Sequence, residues 1–116
     1  MNLEVKKVTR GLKEYKQVAE IFRSSFPKKE RSSMGFLLLM AKRDMANFWA
    51  FYDGETPVGM SFVIHANHMA FILYLAVDEE KRCQGYGSGI VSKLKEIYSQ
   101  YEFILNAEKA DPGSNN

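Results

Sequence analysis

The stretch Arg82-Cys83-Gln84-Gly85-Tyr86-Gly87-Ser88-Gly89 decides how this chain is read. It follows an apolar run at 70–77 and opens a segment in which Ile90, Val91, Leu94, Ile97 and Tyr98 recur at helical spacing, with Lys93, Lys95 and Glu96 outward. A strand, a glycine loop and a helix start in that order make an anion site. Glycines take positive φ and let the backbone approach a ligand closely, and the free N–H groups of a helix's first turn point at whatever lies there. A dinucleotide fingerprint requires G-x-G-x-x-G, but from Gly85 and Gly87 the third glycine would fall at Ile90. A P-loop requires a lysine directly after its last glycine, and none follows until Lys93. A glycine-rich turn that merely joins a strand to a helix is the plain alternative. Three glycines with an arginine exceed what such a joint needs.

Working outward, the segments on either side read as a mixed sheet with helices. The run 69–77 is a strand, and 58–65 is another, carrying Met60, Phe62 and Ile64 on one face, with Ala66-Asn67-His68 as the turn between them. An aromatic strand at 47–52 reaches it through Asp53-Gly54 and Thr56-Pro57-Val58-Gly59. These three form an antiparallel meander. Upstream, 3–9 alternates as a half-buried strand, and Tyr15, Val18, Ala19, Ile21, Phe22 and Phe26 define a first helix starting near Lys13 and stopping before Pro27. Ser32 or Ser33 is placed to cap a second helix through Met34, Leu37, Leu38, Met40 and Ala41. Downstream, Phe103-Ile104-Leu105-Asn106-Ala107 is a strand, and the crossover through the preceding helix makes it parallel to 69–77. The expected class is α/β (α+β), in the order strand, helix, helix, three-strand meander, helix, strand.

Arg82-x-x-Gly85-x-Gly87, preceded by Leu75-Ala76-Val77-Asp78, resembles the acetyl-CoA pyrophosphate loop of the GNAT N-acetyltransferase superfamily; the likeness runs over about 48–108. The resemblance implies a direct acetyl transfer from acetyl-CoA to an amine. It implies that the 69–77 strand and the last strand splay at their carboxyl ends, so that the pantetheine arm bonds to main-chain groups of Leu75 and Val77, with Asn106 also in reach. The pyrophosphate is then expected on amides of Cys83, Gln84, Gly85, Tyr86, Gly87 and Ser88, with Arg82 and the Ser88 hydroxyl beside it. A main-chain N–H near Leu75 is the expected oxyanion donor. Many members carry a glutamate two positions before Leu-Ala-Val; here that position is Leu73, which leaves Glu108 as the candidate base, or no base at all. Members usually continue with a helix and two strands, including a tyrosine that protonates the leaving thiolate. The expectation is therefore a single domain over 1–116, C-terminally truncated, with a homo-oligomer or a second chain covering the exposed last strand. By the same likeness Phe26, Arg31 and Met34 are candidates to line the acceptor entrance. The acceptor stays open between a small amine, a peptide terminus and a lysine side chain. Two rivals remain: a non-catalytic acyl-CoA-binding module, and a structural or interaction protein that keeps only the fold.

Composition bounds the rest. The 116 residues suit one core, and 46% apolar with 26% charged residues are ordinary for a soluble domain. No apolar run reaches a bilayer-spanning length and the N-terminus lacks a signal-peptide pattern, so a cytoplasmic protein without membrane partners is expected. A net charge of +2, with cations scattered among carboxylates, gives no footprint for nucleic acid. Cys83, the one cysteine, permits no internal disulfide; it is either a filler or a thiol activated by the helix start. His65 and His68 lack the further ligands a metal site needs, so no metal is expected; His65 as a general base has only its strand-end position for it.

Overall fold

The computed structural model describes residues 2–104 and 108–109. Its elements are β1 (Glu4–Lys7), α1 (Tyr15–Ser25), α2 (Met34–Met40), β2 (Ala46–Asp53), β3 (Thr56–Ala66), β4 (Met69–Val77), α3 (Tyr86–Ile97), β5 (Glu102–Ile104) and β6 (Glu108–Lys109). Single 3-10 turns stand at Lys28–Glu30 and Glu79–Lys81. The sheet runs β1-β2-β3-β4-β5. Its first three pairings are antiparallel, and β4 with β5 is parallel, as a crossover through α3 requires. The meander and crossover read from the sequence are those observed, with β4 on its expected residues.

Helix ends follow local chemistry. Ser33, rather than Ser32, caps α2: its Oγ accepts from Phe36 N at 3.1 Å. α1 begins at Tyr15, two residues after Lys13, because Leu12 N and Tyr15 N bond back to Thr9 O and Leu12 O in turns. Glu14 stands at the N-cap without capping; its carboxylate accepts from the Tyr52 hydroxyl at 2.7 Å. Burial, followed by that carboxylate, pushes the Tyr52 phenol far above its ordinary range.

Both faces of the sheet are covered. On one, Val18 and Phe22 of α1 and Met34 and Leu37 of α2 pack over Phe48, Met60 and Phe62. On the other, Ile90 and Leu94 of α3 pack over Phe51, Val63, Ile72 and Leu75. A sheet buried on both sides loses strict polar alternation, which is why β3 and β4 read as nearly continuous apolar runs. α3 approaches closely because residue 59 is glycine. A Cβ there would collide with Ile90 Cδ1 and lie 2.7 Å from Ala76 O.

One irregularity shapes β4 toward its C-terminal end. Phe62 pairs with Tyr74 while Val63 pairs with Ile72, so Leu73 is an extra residue, a β-bulge. Beside it the fully buried Ser61 donates its hydroxyl to Tyr74 O at 2.9 Å, satisfying a carbonyl at the bulge. Of the expected last strand at 103–107, residues 103–104 lie in β5 and 105–107 lie outside the described residues. β5 pairs with Met69–Phe71 through Glu102–Ile104, and β6 continues the ladder with Tyr74 opposite Glu108 and Leu75 opposite Lys109. Pairing therefore reaches Leu75, and among the described residues Ala76 and Val77 have no strand partner on that side.

Candidate functional site

β4 delivers the chain to the sheet's edge at Val77, and a tight path turns it into α3. Asp78 accepts from Glu80 N through Oδ1 at 3.1 Å, which fixes the 3-10 turn, and Asp78 N bonds to Val58 O. Cys83 and Gly85 then both take the left-handed region, with φ of 67° and 86°. Two such residues before a helix aim successive amides into a concavity, the geometry of an anion nest. Among the described residues, no well-formed hydrogen bond runs from the amides of 83–88 to a protein acceptor; the first such N–H inside the helix is that of Gly89, to Gly85 O. Orphan donors of this kind need water or a ligand. Gly87 adds a second sign. A Cβ there would meet only Val77 Cγ2, at 3.9 Å, an ordinary contact, so packing does not demand a glycine. The start of α3 thus presents donors of the kind that an anion takes.

The side chains of the loop divide. Cys83, Gln84 and Ser88 are exposed. The Tyr86 hydroxyl donates to Asp53 Oδ2 at 2.5 Å, a bond that raises its pKa and draws the ring toward the β2–β3 hairpin. Arg82 was expected to face the anion. Instead its Nε donates to Val77 O at 3.3 Å and its Nη2 to Ser25 Oγ at 3.3 Å, tying the end of β4 to the end of α1. Val77 O is thereby engaged, and Leu75, whose main chain was expected to meet the pantetheine arm, pairs with Lys109. Asn106 lies outside the described residues, as does the Glu108 side chain, whose backbone stands opposite Tyr74.

A second concavity lies at the elbow between α1 and α2. It measures about 310 Å³ and is lined by Phe22, Arg23, Lys28, Arg31, Ser32, Ser33 and Met34. Tyr74 of β4 joins it to the sheet: its hydroxyl accepts from Ser32 N at 3.0 Å, and its ring meets Phe22 and Phe26 edge-on with centroids 5.0 and 5.1 Å away. Arg31 donates to Phe26 O at 2.8 Å, which closes the elbow. Of the three entrance candidates, Arg31 and Met34 line this cavity, and Phe26 supports it from the core. The contribution of Arg23 was missed. It sits on the helix, and only the fold carries it beside the loop.

The Leu73 side chain, at the position of the absent glutamate, is 42% exposed. His65 packs against the rings of Tyr98 and Tyr101, and His68 is exposed at the turn. Among the described residues no three His, Cys, Asp or Glu side chains gather as a metal site, and no helix is long and apolar enough to cross a membrane.

The profile of the acetyltransferase (GNAT) family matches residues 15–115. No curated protein sequence matches this chain. Among solved structures, a Bacteroides thetaiotaomicron protein described as of the GNAT family superposes with a TM-score of 0.71 at 21% identity, over 81% of this chain and 55% of its own. A GNAT family acetyltransferase from Staphylococcus aureus superposes with a TM-score of 0.74 at 13% identity, over 100% of this chain and 93% of its own. An aminoglycoside 6'-N-acetyltransferase complexed with coenzyme A superposes with a TM-score of 0.66 at 16% identity, over 83% of this chain and 55% of its own. At these identities the likeness is one of fold. The chain spans about half the length of the first and third of these proteins.

Proposed function

The chain belongs to the acetyltransferase (GNAT) family, and from that premise we propose that it is an acetyl-CoA-dependent N-acetyltransferase that transfers the acetyl group directly to a primary amine. The observation that carries the reading is the row of amides over 83–88 left without a well-formed bond among the described residues, at the turn of left-handed Cys83 and Gly85 that follows β4. Those amides would hold the pyrophosphate, and the Val77 N–H, with the main chain of Leu75 once β6 parts from it, would guide the arm toward Tyr74. Asn106 joins them in this proposal from the neighbouring strand. The coenzyme A complex of a structural neighbour supports the choice of cosubstrate.

Bound there, acetyl-CoA supplies an activated acyl group. The chain's own contribution is mostly positional: holding amine and thioester in one cleft is worth up to about 7–11 kcal/mol when alignment is ideal. The main-chain N–H near Leu75 is the proposed donor to the reacting carbonyl, released where β6 parts from β4. Leu73 cannot take a proton. Glu108, whose backbone lies opposite Tyr74, takes it through water, or the amine arrives neutral. Where the amine arrives neutral, the rate rises with pH until the amine is deprotonated.

Melting curves test the first half: acetyl-CoA or CoA at about 100 times its dissociation constant adds roughly 2.7 kcal/mol of stability. Release of free CoA thiol in the presence of amines tests the second. A curve that neither ligand moves contradicts the proposal. The exposed aliphatic side chain of Leu73 favours one other reading, an acyl-CoA-binding module without turnover, which predicts the melting shift and no thiol release.

A further inference from the structure

We propose that the elbow between α1 and α2 anchors the acceptor and selects primary amines that also carry an anionic group, a carboxylate or a phosphate monoester. The inference rests on the transferase reading and specifies its second substrate. Arg23, Lys28 and Arg31 line the cavity together, and among the described residues no carboxylate does. Among the described residues the one ion pair is Lys93 with Glu96, so these three cations have no acidic partner there. Glu30, between Lys29 and Arg31, is exposed and absent from the lining. The bond from Arg31 to Phe26 O fixes that half-buried guanidinium at the rim, which reduces the ordering cost of binding an anion there.

Position and size agree. Tyr74 touches the elbow through Ser32 and adjoins Leu75 in β4, so an anion held by the cations leaves its amine one tyrosine side chain from the proposed reacting carbonyl. A volume of about 310 Å³ is at the lower end of small-molecule sites, roughly 300–1,000 Å³, and fits a compact acceptor. Phe22 and Met34 supply an apolar floor for a short aliphatic linker. A polycationic acceptor meets repulsion here. The acidic side chains near this end of the sheet, Glu20, Asp78, Glu79 and Glu80, line a different groove against Thr56 and Pro57 of the β2–β3 hairpin.

The test measures kcat/KM with acetyl-CoA and matched acceptors: phosphoethanolamine against ethanolamine, β-alanine against β-alaninamide, and spermidine. A charge-assisted bond to one such cation corresponds to about tenfold or more, so the anionic member of at least one pair is expected to lead by that factor. Its KM should rise with salt as screening grows. The larger ratio tells whether carboxylate or phosphate is the anchor. In the triply exchanged variant Arg23→Gln, Lys28→Gln, Arg31→Gln that ratio falls toward one while the acetyl-CoA melting shift persists; Lys29→Gln, outside the lining, leaves the ratio in place. Turnover with no anionic preference, a lead for spermidine, or a ratio indifferent to the triple variant overturns the anchor and leaves the transferase reading standing. Failure of acetyl-CoA to bind overturns both.

Discussion

Replacing Gly87 with alanine separates a glycine kept for a ligand from one kept for the fold. Residue 87 is in the first turn of α3, and its φ is not in the left-handed region, so alanine meets no backbone strain. The added methyl lies 3.9 Å from Val77 Cγ2. Glycine is the poorer helix former by about 0.5–1 kcal/mol, so the free protein should gain roughly that much. For a chain of this size the melting point would rise by about 2–5 °C. Binding should move the other way. A helical Cβ tilts toward the N-terminus, here into the amide cradle, and loss of one charge-assisted N–H bond weakens binding by about ten- to a hundredfold. At acetyl-CoA equal to 100 times the parent dissociation constant, the parent gains about 2.7 kcal/mol and a variant weakened a hundredfold about 0.4 kcal/mol. Paired thermal scans with and without ligand therefore show curves that cross: the variant melts higher when free and lower when saturated. An alanine variant that binds acetyl-CoA as the parent does refutes the cradle, and one that loses stability refutes the packing argument.

Gly59→Ala should destabilise the protein by about 1–3 kcal/mol in urea unfolding, because its methyl would meet Ile90 Cδ1 and Ala76 O and push α3 off the sheet. Ser61→Ala leaves the Tyr74 carbonyl without its buried donor and should cost about 1–3 kcal/mol by the same assay, with a smaller loss excluding the bond as a stabiliser of the bulge. Tyr52 has a folded pKa above its ordinary value of 10.0, so its stabilising contribution is complete below pH 10 and is lost as pH climbs through the folded value. Stability should thus fall with pH above about 10, and Tyr52→Phe should flatten that decline; an unchanged slope would remove Tyr52 from the account.

The topology was legible because its signals are local. The meander follows from three apolar runs with turn residues between them, and the parallel last pairing follows from an amphipathic segment long enough to be a crossover helix. The Leu73 bulge was not legible, since one extra residue in an apolar run leaves no trace until pairing with Phe62 and Val63 shows it. Arg82 was expected to face an anion because its spacing from the glycines matches the family's loop. Spacing says nothing of rotamers, and Ser25, 57 positions away, takes one of its donors. The cationic elbow escaped notice for a related reason. Lys28, Lys29, Glu30 and Arg31 look balanced in sequence, and only the fold turns Glu30 outward and brings Arg23 alongside. Leu75 was expected to offer its main chain to a ligand and pairs instead with Lys109, because that pairing lies beyond the strand at 103–107 that the sequence makes visible.

The most direct measurement is a titration of the ¹⁵N-labelled chain with CoA, tracking each backbone amide. If the left-handed turn at Cys83 and Gly85 presents its donors to a diphosphate, the resonances of Gln84, Gly85, Tyr86, Gly87 and Ser88 shift together and saturate at one dissociation constant. Resonances of β1 and α2 stay in place. Saturable binding whose shifts spare 83–88 would contradict the account.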